Sequence, residues 1–295
     1  AVGKTAISLP LAKRLNAEII SADSRQIYKH LDIGTAKPSA QERAEVPHHL
    51  VDEIGLDDIY TAGRFARDAS SLVEEIFSRD RVPLVVGGAG LYIKALIDGL
   101  FDESSRDDEV REALVERVDR EGIEPLYAEF REIDPEYAAS VHVNDVKKIV
   151  RAMEIYKVTG TRPSKHFEKE HEGLEHSHQM FVLNRKRETL YDRINRRVDL
   201  MVEQGLVNEV EHLLEMGYTG DENALQTVGY QEIIAYFRDE LSLEEAVRQI
   251  KQHSRHYAKR QLTWFRNQHD GEWFWFEEYP DNMALVEAIV MHARR

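Results

Sequence analysis

Two short apolar runs constrain the fold of this chain more than any other feature. Glu18-Ile19-Ile20-Ser21 and Val82-Pro83-Leu84-Val85-Val86 are short and rich in β-branched residues. Each is followed closely by a special cluster: Asp23-Ser24-Arg25-Gln26 after the first, Gly87-Gly88-Ala89-Gly90 after the second. Runs of this kind are strands buried on both faces, and the helical stretches between them supply the cover. The chain therefore reads as α/β, with a parallel sheet and helices on both faces. Met180-Phe181-Val182-Leu183 reads as a returning strand.

Helical periodicity accounts for most of the remainder. Ala6, Ile7, Leu9, Leu11, Ala12 and Leu15 follow Gly3-Lys4-Thr5 in a pattern that reads as a helix despite Pro10. A further helix is expected from Leu91 to about Leu100. From about Asp102 the texture changes to charged helical patterns over 107–120, 125–131, 135–140 and 144–158, with no convincing strand. The stretch 165–178, rich in His and Glu, reads as a loop. Long helices are expected at 187–204, 208–216 and 243–267. The organisation this predicts is a core of 1–103 and 179–295, interrupted by a helical insertion over 104–178.

Composition removes several function classes. At 295 residues and 42% hydrophobic, the chain can bury one large core or two smaller ones. No stretch approaches the roughly 18 apolar residues of a membrane helix, so no membrane role is expected. The absence of cysteine removes disulfides, thiolate nucleophiles and cysteine-held zinc or iron–sulfur centres. Ala1-Val2-Gly3-Lys4-Thr5 does not resemble the start of a secretory signal, and a cytoplasmic location is expected. The adjacent His48 and His49 would not share one strand or helix face, which argues against a zinc site.

A net charge of −15 argues against a polyanionic partner, but the charge is segregated. Acidic residues dominate between Asp102 and Glu136. Between Arg248 and Arg266 there are Lys and Arg and no Asp or Glu, and Arg185 to Arg197 is also basic. Arg248, Lys251, Arg255 and Lys259 recur at i, i+3, i+7 and i+11, on one helix face. That face is either a solvated surface or one that tracks phosphates.

Three sites carry chemistry. Gly3-Lys4-Thr5 before a helix matches the end of G-x-x-x-x-G-K-[ST], a loop type shared with ATP-binding and other nucleotide-binding proteins. There, backbone N–H groups and a lysine cradle phosphate while the hydroxyl holds Mg²⁺. Asp23 lies past the carboxyl end of a strand, where open α/β sheets place their sites; it is equally suited to capping a following helix. Gly87-Gly88-Ala89-Gly90 either admits a ligand close to the backbone or forms a tight turn.

In combination these residues resemble a known family. Ala-Val-Gly-Lys-Thr (1–5), Ile-Ile-Ser-Ala-Asp-Ser-Arg-Gln-Ile-Tyr (19–28), Asp-Ile-Gly-Thr-Ala-Lys-Pro (32–38), Pro-His-His-Leu-Val-Asp (47–52) and Val-Gly-Gly-Ala-Gly-Leu-Tyr (86–92) occur in this order. Arg-x-x-Leu-Tyr-x-Arg-Ile-x-x-Arg-Val (187–198), Thr-Val-Gly-Tyr-Gln-Glu (227–232) and Lys-Arg-Gln-Leu-Thr-Trp-Phe-Arg (259–266) follow. The ordered set, spanning nearly the whole chain, resembles the bacterial tRNA dimethylallyltransferase (tRNA isopentenyltransferase) family.

The resemblance implies a P-loop-kinase-like core whose helical insertion grips the tRNA anticodon stem-loop. It implies transfer of a dimethylallyl group from dimethylallyl diphosphate to N6 of the adenosine next to the anticodon, by a monomer. Asp23 would be the general base, with Ser24, Arg25 and Gln26 against the target base of the tRNA. Val2, Gly3, Lys4 and Thr5 would hold the donor diphosphate, Thr5 with Mg²⁺ as cofactor, and Arg193 would sit nearby. The tRNA contacts it implies are Arg111, Lys147, Lys148 and Arg151, then Gln226 and Gln231, and finally Lys259, Arg260, Gln261, Thr263, Trp264 and Arg266. One residue departs from the family pattern: Ala89 stands where the family usually has a threonine whose hydroxyl is placed near the leaving diphosphate. Two other classes share parts of this pattern. A small-molecule P-loop kinase would use ATP and would not need the basic helix, and a non-catalytic RNA-binding protein would be indifferent to loss of Asp23.

Overall fold

The computed structural model describes residues 1–99, 107–168, 173–268 and 271–294. It divides into two compact units, Ala1–Leu96 with His176–Arg295, and Ile97–Glu175.

The larger unit opens with helix α1 (Lys4–Leu15), which tolerates Pro10 and ends at Asn16 in the left-handed region. Strand β1 (Ala17–Ala22) is buried along its whole length, as its apolar run requires. Helix α2 (Ala40–Glu45) leads to β2 (His48–His49); α3 (Ala62–Ser78) leads to β3 (Val82–Gly87), followed by α4 (Gly90–Asp98). The three strands pair in parallel in the order β2-β1-β3, so β1 is central and buried as expected, while β3, expected to be buried on both faces, ends the order and is only partly buried. Register runs from Ala17↔Val82 to Ala22↔Gly87, so β1 and β3 end level. After the second unit come β4 (Phe181–Asn184), α10 (Arg187–Glu203), α11 (Leu206–Glu215), α12 (Tyr230–Phe237), α13 (Leu243–Gln268), β5 (Glu272–Trp275) and α14 (Asn282–Ala293). Strands β4 and β5 form a separate parallel pair, so the described strands make two parallel sheets rather than one.

Packing follows the apolar spacing. Ile7 and Leu11 of α1 bury against Leu285, Val286 and Ile289 of α14 and Phe274 of β5, while Ala12 joins Ala17 and Ile19 of β1. On α3, Phe65, Ala69, Val73 and Ile76 are buried, and the Phe65 ring stacks on Tyr92 at 4.7 Å. At the amino end of β1, buried Glu18 accepts from Arg79 at 2.9 Å and Arg81 at 3.0 Å and bonds His49 Nε2 at 2.7 Å. Burial alone would raise its pKa; the bonds from His49, Arg79 and Arg81 outweigh that and bring it down to about 2.

The second unit is helical: α5 (Asp108–Glu121), α6 (Glu124–Ile133), α7 (Pro135–Ser140), α8 (Val146–Thr159) and α9 (Pro163–Glu168). Its core gathers Leu114, Leu126, Phe130, Ala138, Ile149 and Met153. Asp107, Asp134 and Asp145 each cap a helix by accepting a backbone N–H three residues on. The expected loop over 165–178 needs correction at its start, because Pro163 opens a short helix that runs to Glu168. Residues 169–172 lie outside the described ones, as does Leu100 at the end of the helix expected from Leu91.

Candidate active site

The amino end of α1 and the carboxyl ends of β1 and β3 come together with arginines from α10. Gly3 takes the left-handed conformation (φ 114°), and the first turn of α1 has neither a side-chain cap nor an acidic residue. Its backbone N–H groups and positive dipole end are thus uncompensated. Three arginines converge here. Arg185 donates to the Val2 carbonyl at 2.7 Å and lies over the Phe276 ring, Arg193 donates to the Ala1 carbonyl at 2.8 Å, and Arg197 lies beside them.

Among the described residues, none accepts a hydrogen bond or close ion pair from the Lys4 ammonium. Desolvation holds its pKa below the usual lysine value, the Asp23 carboxylate pulls the other way, and Arg197 adds to the lowering. Arg197 is itself desolvated, with Asp23 again the opposing charge. Asp23 caps no helix. One of its oxygens accepts the Arg25 backbone N–H at 3.0 Å, an Asx-type turn, and the other accepts no hydrogen bond among the described residues. A carboxylate with a free oxygen thus sits close to two desolvated cations.

The residues after Asp23 are tied into the surrounding fold. Gln26 accepts from Ser21 Oγ at 3.1 Å and donates to the carbonyls of Thr35 and Ala36, both at 3.2 Å. Arg25 donates to the Asn223 carbonyl at 2.7 Å. Ser24, between Asp23 and Arg25 in the chain, is half-buried. At the end of β3, Gln261 of α13 donates to the Gly88 carbonyl at 2.8 Å, and a Cβ on Gly88 would stand 2.5 Å from the Gln261 amide nitrogen and 3.3 Å from Lys4 Nζ. Trp264 covers Gly90 so closely that a side chain there would collide with its ring. The approach of Trp264 thus requires glycine at position 90, whereas Gly87 is required by the Ala22 backbone of β1 and a Cβ on Gly88 would meet chiefly the movable end of Gln261. Ala89 donates its backbone N–H to the Ala22 carbonyl at 3.1 Å, which ties this loop to the end of β1.

This chain matches the family model described as IPP transferase over residues 26–268. It is 44% identical to a tRNA dimethylallyltransferase of Acetivibrio thermocellus over 98% of this chain and 93% of that protein. A tRNA dimethylallyltransferase of Thermotoga neapolitana is 45% identical over 93% of this chain and 89% of its own length. The chain belongs to the IPP transferase family. Solved structures agree. The full-length tRNA isopentenylpyrophosphate transferase from Bacillus halodurans superposes with a TM-score of 0.72 at 40% identity, covering all of this chain and 94% of that one. A eukaryotic dimethylallyltransferase acting on tRNA superposes at 0.84 with 28% identity, covering 78% of that chain. The kinase alternative finds no support among these relatives.

The basic face of α13 is not the open stripe its spacing suggests. Arg248 is held by Glu245 of the same helix at 2.6 Å, Lys251 pairs with Asp199 of α10 at 2.5 Å, and Arg255 donates to Asn195 at 2.7 Å. Helix α10 lies alongside α13 and supplies Asp199 and Asn195, so Lys251 and Arg255 are engaged at that seam, whereas Arg248 is exposed and paired only within its own helix. Lys259, Arg260, Thr263 and Arg266 are exposed beyond it, Arg260 over the Tyr257 ring and Arg266 over Trp273. Exposed Gln226 and Gln231 are hydrogen-bonded to each other. In the helical unit, fully buried Glu154 holds Arg151 at 3.0 Å and Arg111 at 3.4 Å, while Lys147 and Lys148 stand exposed at the first turn of α8.

Sequence reasoning noted the basic run from Arg185 to Arg197 but assigned no site role to Arg185, Arg197 or Tyr257. The i, i+4 spacing of Arg193 and Arg197 was the available signal for one of them. Desolvation of the Tyr257 hydroxyl, followed by the charge of Asp23, holds its pKa above the usual value, although the residue as a whole is partly exposed.

Proposed function

We propose that this chain transfers a dimethylallyl group from dimethylallyl diphosphate to N6 of the adenosine next to the anticodon in tRNA, releasing diphosphate. It acts as a monomer in the cytoplasm. What carries the reading is the pairing of Lys4, desolvated and with its donors unspent among the described residues, with Asp23, one of whose carboxylate oxygens accepts no hydrogen bond among them. A desolvated ammonium beside an uncapped helix N-terminus suits a diphosphate, and the arginines Arg185, Arg193 and Arg197 extend the same cationic floor.

The chemistry then divides simply. The bond between N6 and the allylic carbon forms as the bond from that carbon to the diphosphate oxygen breaks. The N6 proton passes to Asp23, because an exocyclic amine is a poor nucleophile until that proton leaves. Lys4 and Arg193 meet charge that grows on the departing diphosphate, so they act most strongly in the transition state. The donor set also fits Mg²⁺. The Thr5 hydroxyl is exposed on the first turn of α1, and this ion needs few protein ligands when phosphate oxygens and water complete its shell. Bound there, it would neutralise diphosphate charge.

The exposed end of α13, with Lys259, Arg260, Thr263 and Arg266, meets tRNA phosphates, and Gln261 and Trp264 join that end to the site. Arg111, Lys147, Lys148 and Arg151 of the helical unit grip the anticodon stem-loop, with Gln226 and Gln231 as further contacts. The target base leaves its stack to reach Asp23. Mass analysis of tRNA nucleosides after incubation with protein, Mg²⁺ and dimethylallyl diphosphate tests the reading. It predicts a prenylated adenosine; unmodified adenosine with ample donor refutes it.

A further inference from the structure

We infer that Glu209 is a positioning residue for transfer. It holds the loop at residues 32–36 so that the carbonyls of Thr35 and Ala36 orient Arg197 and Gln26 around Asp23. The inference rests on the transfer reading above.

Glu209 lies on α11 and touches none of the reacting groups. Its carboxylate accepts the backbone N–H of Ile33 at 2.7 Å, Gly34 at 3.1 Å and Asp32 at 3.2 Å, and the Tyr230 hydroxyl at 2.6 Å. Those donors use the lone-pair directions a carboxylate offers, and each bond is charge-assisted. Tyr230 is fully buried, and burial followed by the charge of Glu209 pushes its pKa up, which keeps the hydroxyl a donor. The loop presses on this pair so tightly that a Cβ on Gly34 would stand 2.5 Å from the Tyr230 ring. Lys37, almost fully buried, locks the far end through Asp32 at 2.6 Å, Asp52 at 2.9 Å and the Tyr28 carbonyl at 2.8 Å.

The other side of the loop faces the site. The Thr35 carbonyl accepts from Arg197 at 3.4 Å and, with Ala36, from the Gln26 amide. Arg197 is one of the two desolvated cations whose charge Asp23 opposes. A shift of the loop therefore moves a cation beside the proposed base without touching that base. Small misplacements at this remove are enough to slow a reaction that depends on aligned charges.

The test is single-turnover prenyl transfer at saturating tRNA and dimethylallyl diphosphate. Glu209→Gln keeps the size but turns an amide NH₂ toward N–H donors. It should slow transfer by roughly 10- to 100-fold, the range for losing charge-assisted bonds. Tyr230→Phe removes one of the bonds and should slow transfer less, which keeps the claim testable if Glu209→Gln folds poorly. Two readouts separate positioning from stability. Glu18→Gln, a buried carboxylate at the opposite end of β1, should lower Tm and leave the transfer rate unchanged. In a double-mutant cycle, Arg197→Lys should absorb most of the effect of Glu209→Gln, because the two act through one carbonyl. Wild-type transfer with an undiminished Glu209→Gln rate, or with effects that add independently, overturns the positioning role alone. Absence of transfer by the wild type overturns the reading beneath it.

Discussion

Replacing Lys4 by methionine separates stability from function. In the folded protein the ammonium is desolvated, lies near Arg197, and makes no hydrogen bond among the described residues; only Asp23 favours its charge. Its pKa is therefore lower folded than unfolded. Below the folded value both states carry the proton and the folded state bears the full penalty. As pH rises from that value toward about 10.5, the unfolded chain binds more protons and stability increases. Lys4→Met, close in volume, removes both the penalty and this alkaline rise. Tm should hold or increase, by roughly 2–4 °C for each kcal/mol relieved. Donor binding should move the opposite way. Loss of a charge-assisted contact to diphosphate is worth about 1.5–3 kcal/mol, or roughly 10- to 150-fold in Kd. Calorimetric titration with dimethylallyl diphosphate and Mg²⁺, beside thermal melts from pH 7 to 10, reads both. Unchanged donor affinity, or a Tm several degrees lower, refutes the view that this lysine is held in reserve for an anion.

Further outcomes follow from the same geometry. Lys259→Ala with Arg260→Ala should weaken tRNA binding and flatten its log–log salt dependence by roughly 0.7–0.9 per contact; Arg255→Ala, engaged with Asn195, should leave the slope nearly unchanged. Glu18, with its pKa brought from 4.5 to about 2, supplies stability that is complete above about 4.5 and lost as pH falls toward 2. Chemical denaturation across that window should show a loss on the order of 3 kcal/mol, absent in Glu18→Gln. Ala89→Thr places a hydroxyl where the family usually has one and should raise the single-turnover rate by roughly 10-fold or more with little change in tRNA affinity. An equal or slower rate shows that Ala89 leaves the site unimpaired.

The parts legible in the sequence were those whose signal is local. Strands β1 and β3 stand out because both are continuous apolar runs, although only β1 is buried along its length and β3 is partly exposed, and α5 to α8 because their periodicity is unbroken. Strand β2 is invisible in His48-His49; it exists because the Pro47 carbonyl accepts the Ile19 N–H and the pair then runs parallel to β1. Helix spacing placed Arg248, Lys251 and Arg255 on one face correctly, yet it could not show that Asn195 and Asp199, far away in the chain, occupy that face. Asp23 was legible by its place past a strand end. Its Asx turn depends on the residues that follow, and its cationic neighbour Arg197 comes from a helix more than half the chain away. Gln26 shows the same limit, since what occupies both ends of its amide is decided by the fold of the 32–36 loop.

The account turns on Asp23 as the base, and Asp23→Asn tests it most directly. The amide keeps the oxygen that accepts from Arg25 but cannot take a proton from N6. Single-turnover prenylation of tRNA, read by nucleoside mass analysis beside tRNA affinity, should show binding near the wild type and a rate roughly 10²- to 10⁴-fold lower. Wild-type turnover in the asparagine variant would contradict the account and leave Asp23 as no more than the residue that closes the turn after β1.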